Sequence, residues 1–268
     1  MVNSIRDNLD EIDTISEIRL LLPVQKEYTF ILVEGVDDLQ LFRPLLSEKV
    51  ELIKSYGSKN GIEKIVGQHF KHNKRIIGIR DKDYAKKPCS KRMFFCDYCC
   101  SEMMIISNIE AFNKIYSNFY TGTMSPADLL LYCLKYLEYL SRIRKLNEEK
   151  NWKIRLDGIK ANKLYNSNIS IMNQNIISEI NRQNPSNQLD AVKILMINKQ
   201  PSCSTLIDFL KITNGHDFVH IFSKLCNNWG FKYIEHSLRC AYSLEEFADS
   251  QLYKDLQQYE KTHHLSIL

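Results

Sequence analysis

No stretch of this chain approaches the roughly eighteen consecutive apolar residues of a membrane-spanning helix, so a membrane span is not expected. The first residues, Met1 to Asp13, alternate acids with apolar side chains. They lack the basic segment and apolar core of a secretion signal. Eight cysteines without such a signal point to reduced thiols and a cytoplasmic location. The spacing of a structural zinc site is also missing. Cys89, Cys96, Cys99 and Cys100 cluster, but Cys96-x-x-Cys99 is only one close ligand pair, and no histidine follows at finger distance. These four read as free thiols around a strand end. Charge of one sign is not in strong excess either. The net charge of +4 permits a nucleic-acid partner without demanding one. No internal repeat or low-complexity linker interrupts the chain.

What remains is an ordinary globular balance, 44% hydrophobic and 25% charged over 268 residues, enough for one large domain or two modest ones. Ile5, Leu9, Ile12, Ile15, Ile18 and Leu22 recur at helical spacing and predict an N-terminal helix within residues 1–25. The pattern then changes to Thr29-Phe30-Ile31-Leu32-Val33, a continuous apolar run of the kind buried on both sheet faces. A helix follows, capped by Asp37 or Asp38 and shortened or kinked at Pro44. Val50–Ile53, Arg75–Arg80 and Met93–Cys96 are the further strands, with a helix over 61–70. Strands alternating with helices predict an α/β domain over 26–120, a parallel sheet flanked by helices. From 121 to 268 a mainly helical region is expected. Ser125-Pro126 opens a long helix towards Glu148, and Ser243-Leu244-Glu245-Glu246 reads as a capping box for the last one. Residues 162–188, rich in asparagine, are the least structured-looking segment.

In a parallel sheet, ligands gather beyond the carboxyl ends of the strands. Glu34 ends the first predicted strand, Asp81 and Asp83 end the third, and Glu102 closely follows the fourth. A lone carboxylate there is ordinarily a cap or a solvated loop residue. The joint pattern is different. Asp81 and Asp83, two apart in an extended segment, would project to one side. Four carboxylates on one rim repel each other unless a proton or a cation intervenes. All-oxygen ligands favour Mg2+ or Mn2+ over zinc.

Leu32-Val33-Glu34-Gly35-Val36-Asp37-Asp38, with Asp81-Lys82-Asp83 downstream, resembles the Toprim family of topoisomerases, primases and OLD-type nucleases. Tyr56-Gly57-Ser58-Lys59-Asn60-Gly61 is similar to a Gly-Lys-Asn segment of OLD-like members. Further motifs extend the likeness over about residues 26–258: Asp97-Tyr98 with Glu102-Met103-Met104, Leu146-Asn147-Glu148-Glu149, Asn214-Gly215-His216-Asp217, and Leu238-Arg239 with Tyr242-Ser243. Together they resemble an uncharacterised Toprim-like family that includes the effector subunit of PARIS anti-phage systems.

The resemblance implies a toxic, metal-dependent nuclease effector of phage defence. It implies RNA, transfer RNA in particular, over DNA as substrate, restraint by an ABC-type ATPase, and a homodimer when released. Asp81, Asp83, Glu34 and Glu102 would be metal ligands, with Glu34 alternatively a general acid or base. Lys59 or Lys82 would offset charge on the reacting phosphate. Lys86, Lys87, Lys91 and Arg92, a basic run beside the DxD loop, would contact the phosphate backbone. One departure stands out: Cys100 occupies a position where relatives commonly carry aspartate, which leaves one or two metals open. His216 reads as structural, with Gly215 at a helix boundary and Asp217 as its cap.

Two rivals remain. A haloacid-dehalogenase-like phosphatase also uses a strand-end DxD, but on its first strand and with a hydroxyl residue where this chain has Ala85. A non-catalytic Toprim-like module that binds a partner through its helical half is the other.

Overall fold

Thr29–Val33 (β1) is buried at every position, as a run of aromatic, β-branched and leucine side chains predicts. Val50–Lys54 (β2), Ile76–Arg80 (β3) and Met93–Phe95 (β4) complete a four-stranded sheet, all pairs parallel, in the order β2-β1-β3-β4. These elements belong to a computed structural model that describes residues 11–56 and 58–268, with backbone alone for Glu11, Ser58 and Lys59. The fold class is therefore α/β with a parallel sheet, as the alternating pattern implied.

Side chains on alternate positions of each strand build two cores. On one face Phe30, Leu32, Ile76 and Met93 pack with Ile15 and Ile18 of α1 (Glu11–Leu21). Ile62 of α3 (Ser58–Lys64) joins them, as do Ile65 and Val66 of the π-helical turn Ile65–His69. The portion of the expected N-terminal helix before residue 11 lies outside the described residues. Gly78 lets α3 come close: a Cβ there would sit 2.6 Å from both Ile62 Cγ2 and Met93 Sδ. The opposite face carries Ile31, Val33, Ile77 and Ile79, all buried. α2 (Val36–Phe42) ends at Pro44 in a 3-10 turn over Arg43–Leu45, because proline cannot donate the next helical hydrogen bond. Phe42 meets Phe247 of α13 (Leu244–Ala248) edge-on, with centroids 6.2 Å apart.

The chain divides into two compact units, one made of Met1–Asp97 with Tyr242–Leu268, the other of Tyr98–Ala241. The division between these units falls at 97/98, and the last segment returns to the sheet. α14 (Gln251–His263) lies along β4, where Phe94 and Tyr259 stack edge-on at 5.4 Å. Asp97 accepts hydrogen bonds from the N–H groups of Gln251 and Leu252, at 2.8 and 2.9 Å, satisfying donors of the first turn of α14. Ser243 does form a capping box, with Glu246, but it opens the short α13; Ser250 caps the final helix.

The second unit is helical: α4 (Ser101–Ser107), α5 (Ile109–Phe119), α6 (Pro126–Glu149), α7 (Ala161–Leu164), α8 (Ile169–Gln183), α9 (Ala191–Asn198), α10 (Leu206–Leu210), α11 (Gly215–Leu225) and α12 (Phe231–Ala241). Ser125 caps α6, as its Ser-Pro start predicts. Residues 162–188 are not loosely structured. Asn168 caps α8, Met172, Ile176 and Ile180 form its buried stripe, and Asn184 at its end is buried, accepting from the Arg155 N–H and donating to the Arg155 carbonyl. Phe112, Phe218 and Phe222 form an aromatic core in this unit. Among the described residues no helix is long and apolar enough to cross a membrane.

Candidate functional site

The order β2-β1-β3-β4 sets the switch point of the sheet between β1 and β3: the chain leaves β1 for one side and then returns to the other. Open α/β sheets bind ligands in the crevice outside such a point. Glu34 directly follows β1 and Asp81 directly follows β3. The register pairs Leu32 with Gly78, so two further steps bring Glu34 level with Arg80 and one residue short of Asp81. Neighbouring strands lie about 4.8 Å apart. The two carboxylates therefore start from adjacent strand ends. Glu34 is half-buried, and its Oε1 is buried. Gly35, not an aspartate, occupies the N-cap position of α2; Asp38 answers it by accepting a hydrogen bond from the Gly35 N–H at 2.9 Å.

Asp81, Lys82 and Asp83 are half-buried in the turn after β3. Asp83 has φ 48°, a left-handed conformation that aspartate tolerates better than most residues but that still carries strain. The extended backbone that would send Asp81 and Asp83 to one side is thus absent. A residue that pattern reading passes over holds this turn. Arg80, the last residue of β3, has a side chain only 7% exposed. Its Nη1 donates to the Asp81 carbonyl at 2.9 Å and lies 4.0 Å from Asp83 Oδ2. Nη2 pairs with Glu63 of α3 at 3.0 Å, and the guanidinium rests 4.8 Å from the centre of the Phe95 ring. The only sequence signal was an arginine ending an otherwise apolar strand.

The basic run divides. Lys86, Lys87 and Lys91 are exposed. Arg92 is buried and its guanidinium donates to the carbonyls of Val66, Asn73 and Ile76, so it is a structural tie and not a phosphate contact. Lys59 falls in the first turn of α3, and its side chain lies outside the described residues. Glu34, Asp81 and Asp83 offer oxygen donors, a ligand type that suits a hard divalent cation.

Glu102 belongs to the second unit, half-buried in the first turn of α4, with buried Cys100 at the N-cap position. A Cβ on Gly215 would lie 2.2 Å from Glu102 Oε2 and 2.7 Å from its Cβ, so glycine is what lets Glu102 lie against the start of α11. The cap of α11 is Asn214, which accepts from the Asp217 N–H, not Asp217 itself. Asp217 instead takes a two-point contact from Arg144 of α6, Nε to Oδ2 at 2.6 Å and Nη2 to Oδ1 at 2.9 Å. His216 Nδ1 lies 2.9 Å from Glu235 Oε1. That hydrogen bond, chiefly, raises the His216 pKa to about 9.

Cys96, Cys99 and Cys100 are buried thiols, and Cys89 is exposed. Comparison of the chain with protein-family models, curated proteins and solved structures finds no match.

Proposed function

We propose that this chain is a Mg2+- or Mn2+-dependent nuclease. The observation that carries the reading is the pair of carboxylates, Glu34 and Asp81, at adjacent strand ends flanking the switch point of a parallel sheet. Asp81 and Asp83 would hold the cation, with Glu34 sharing it or moving a proton at the leaving oxygen. The cation, when bound, polarises the scissile phosphate and acidifies a water. Arg80 orients the DxD turn through the Asp81 carbonyl. Lys82 lies next to the carboxylates and offsets phosphate charge, and the exposed Lys86, Lys87 and Lys91 contact the backbone of the substrate. The resemblance to the Toprim-like effector family adds the rest of the reading. The substrate is RNA, with transfer RNA foremost; an ABC-type ATPase restrains the protein; the released form is a homodimer acting in phage defence.

The test is Mg2+-dependent cleavage of a mixture of transfer RNA and plasmid by purified protein, beside Glu34→Gln and Asp81→Asn. Both substitutions should lower cleavage by about a hundredfold or more, with folding intact by circular dichroism. Glu102→Gln in the same assay tests the fourth ligand. Absence of cleavage by the wild type, alone and after release from its ATPase, would leave the non-catalytic binding module as the better reading.

A further inference from the structure

The turn between α11 and α12, together with the first three residues of α12, is exposed at every position from Asn227 to Tyr233, Asn-Asn-Trp-Gly-Phe-Lys-Tyr. Asn227 and Asn228 both adopt left-handed backbone, φ 58° and 60°, so the chain reverses sharply and turns its next side chains outward. Three of those side chains are aromatic. Trp229 is 51% exposed, Phe231 40% and Tyr233 68%. Large rings are seldom left in water without a reason when they stand together. Two of them are also held in place: Trp229 meets Phe119 edge-on at 5.6 Å, and Phe231 meets His220 edge-on at 5.5 Å. Gly230 leaves room for the third, since a Cβ there would come within 3.0 Å of the Tyr233 ring.

The charge carried by this turn and by the helix end before it has one sign. Lys224 and Lys232 are exposed, and no Asp or Glu occurs from Phe218 to Ile234. The segment Tyr116–Ser125, which the turn touches through Asn227 and Thr121, has no acid either. The next acid, Glu235, is engaged by His216. Exposed aromatic faces with lysines between them, and with the adjacent Glu235 engaged by His216, match the chemistry of an unpaired nucleic-acid strand, whose bases stack while its phosphates seek cations. A protein interface would use rings too, but it disfavours lysine at its core, and here Lys232 separates Phe231 from Tyr233.

We infer that the Trp229–Tyr233 turn is a binding platform for single-stranded nucleic acid, with bases stacking on Trp229 and Tyr233 and phosphates meeting Lys224 and Lys232. The inference rests on the nuclease reading for its biological sense, but its test needs no cleavage. The chain has two tryptophans, Trp152 and Trp229. Trp152→Phe leaves Trp229 as the sole indole reporter. Its fluorescence is followed while oligouridylate, or a blunt RNA duplex, is added in EDTA.

Oligouridylate should quench Trp229, and the duplex should do so far less. Tyr233→Ala should weaken binding about fivefold or more, the loss expected for one stacked base. Lys232→Ala should lower the slope of log affinity against log salt by about 0.7. Both side chains are exposed, so circular dichroism should be unchanged. Absence of quenching, equal quenching by duplex, or unchanged affinity in Tyr233→Ala would overturn the inference. So would self-association, seen by sedimentation, that Tyr233→Ala abolishes while RNA binding persists, which would make the turn a protein interface. Because EDTA suppresses cleavage, a negative result here leaves the metal-site assay standing, and the reverse also holds.

Discussion

Replacing Arg144 by methionine strands the carboxylate of Asp217, whose side chain is only 2% exposed, while Arg144 itself is 18% exposed. Two roles for Asp217 predict different costs. If it served only as an acid in the first turn of α11, losing its partner on α6 would cost well under about 1 kcal/mol, the range of a helix-dipole interaction. If the pair is a buried ion pair, removing one partner leaves an uncompensated charge and costs about 3–5 kcal/mol. The two hydrogen bonds of 2.6 and 2.9 Å and the near-complete burial of Asp217 favour the second role. The start of α11 offsets part of the stranded charge, so a value near the lower end, about 3 kcal/mol, is expected. Urea denaturation at neutral pH, followed by tryptophan fluorescence, suits the measurement because Trp152 and Trp229 both lie in the second unit. Arg144→Met combined with Asp217→Ala should cost less than the two single losses added, with a coupling of about 2 kcal/mol. A loss below about 1 kcal/mol in Arg144→Met would refute the argument and return Asp217 to a minor helix-start role.

Two further outcomes concern the charged groups around the sites. Arg80→Met should lower stability by about 2 kcal/mol, through loss of a charged hydrogen bond and an ion pair whose Glu63 side is 33% exposed and can rehydrate. It should also raise the Mg2+ concentration needed for half-maximal cleavage. Arg80→Lys should not rescue it, because one ammonium cannot span Glu63, the Asp81 carbonyl and Asp83; a lysine variant indistinguishable from wild type would refute the positioning role. His216, raised from 6.5 to about 9 chiefly by its hydrogen bond to Glu235, is predominantly protonated at neutral pH. Because the folded value lies above the unfolded one, its stabilising contribution is complete below about pH 6.5 and fades as pH rises through about 9. The ring is 65% exposed, so solvent screening keeps the effect on stability small. The direct check is an NMR titration of the imidazole. Glu235→Gln should bring it back towards 6.5, and an ordinary titration in the wild type would contradict the contact.

Much of the sheet was legible in the sequence because a doubly buried strand is a local statement. Thr29–Val33 and Ile76–Arg80 are apolar runs with few alternatives, and the residues just after them, Glu34 and Asp81, necessarily stand at strand ends. Ser125-Pro126 likewise announced α6 within four residues. Propensity, capping and periodicity act over one or two helical turns, and they carry no information about which distant segment lies alongside. That the strands before Glu34 and Asp81 would be neighbours was expected from the sequence; tertiary structure supplied the order β2-β1-β3-β4 and the register that sets Glu34 one residue short of Asp81. It also decided that Tyr242–Leu268 returns to the sheet, where Asp97 meets the start of α14. The same limit explains the residues misread. Arg92 looks like its lysine neighbours until three carbonyls surround it, Asp217 looks like a cap until Arg144 reaches it, and Arg80 looks like a strand end until Glu63 and the DxD turn close around its guanidinium. A charged side chain is read correctly only when its partner is known, and in all three cases at least one partner comes from another element of the fold.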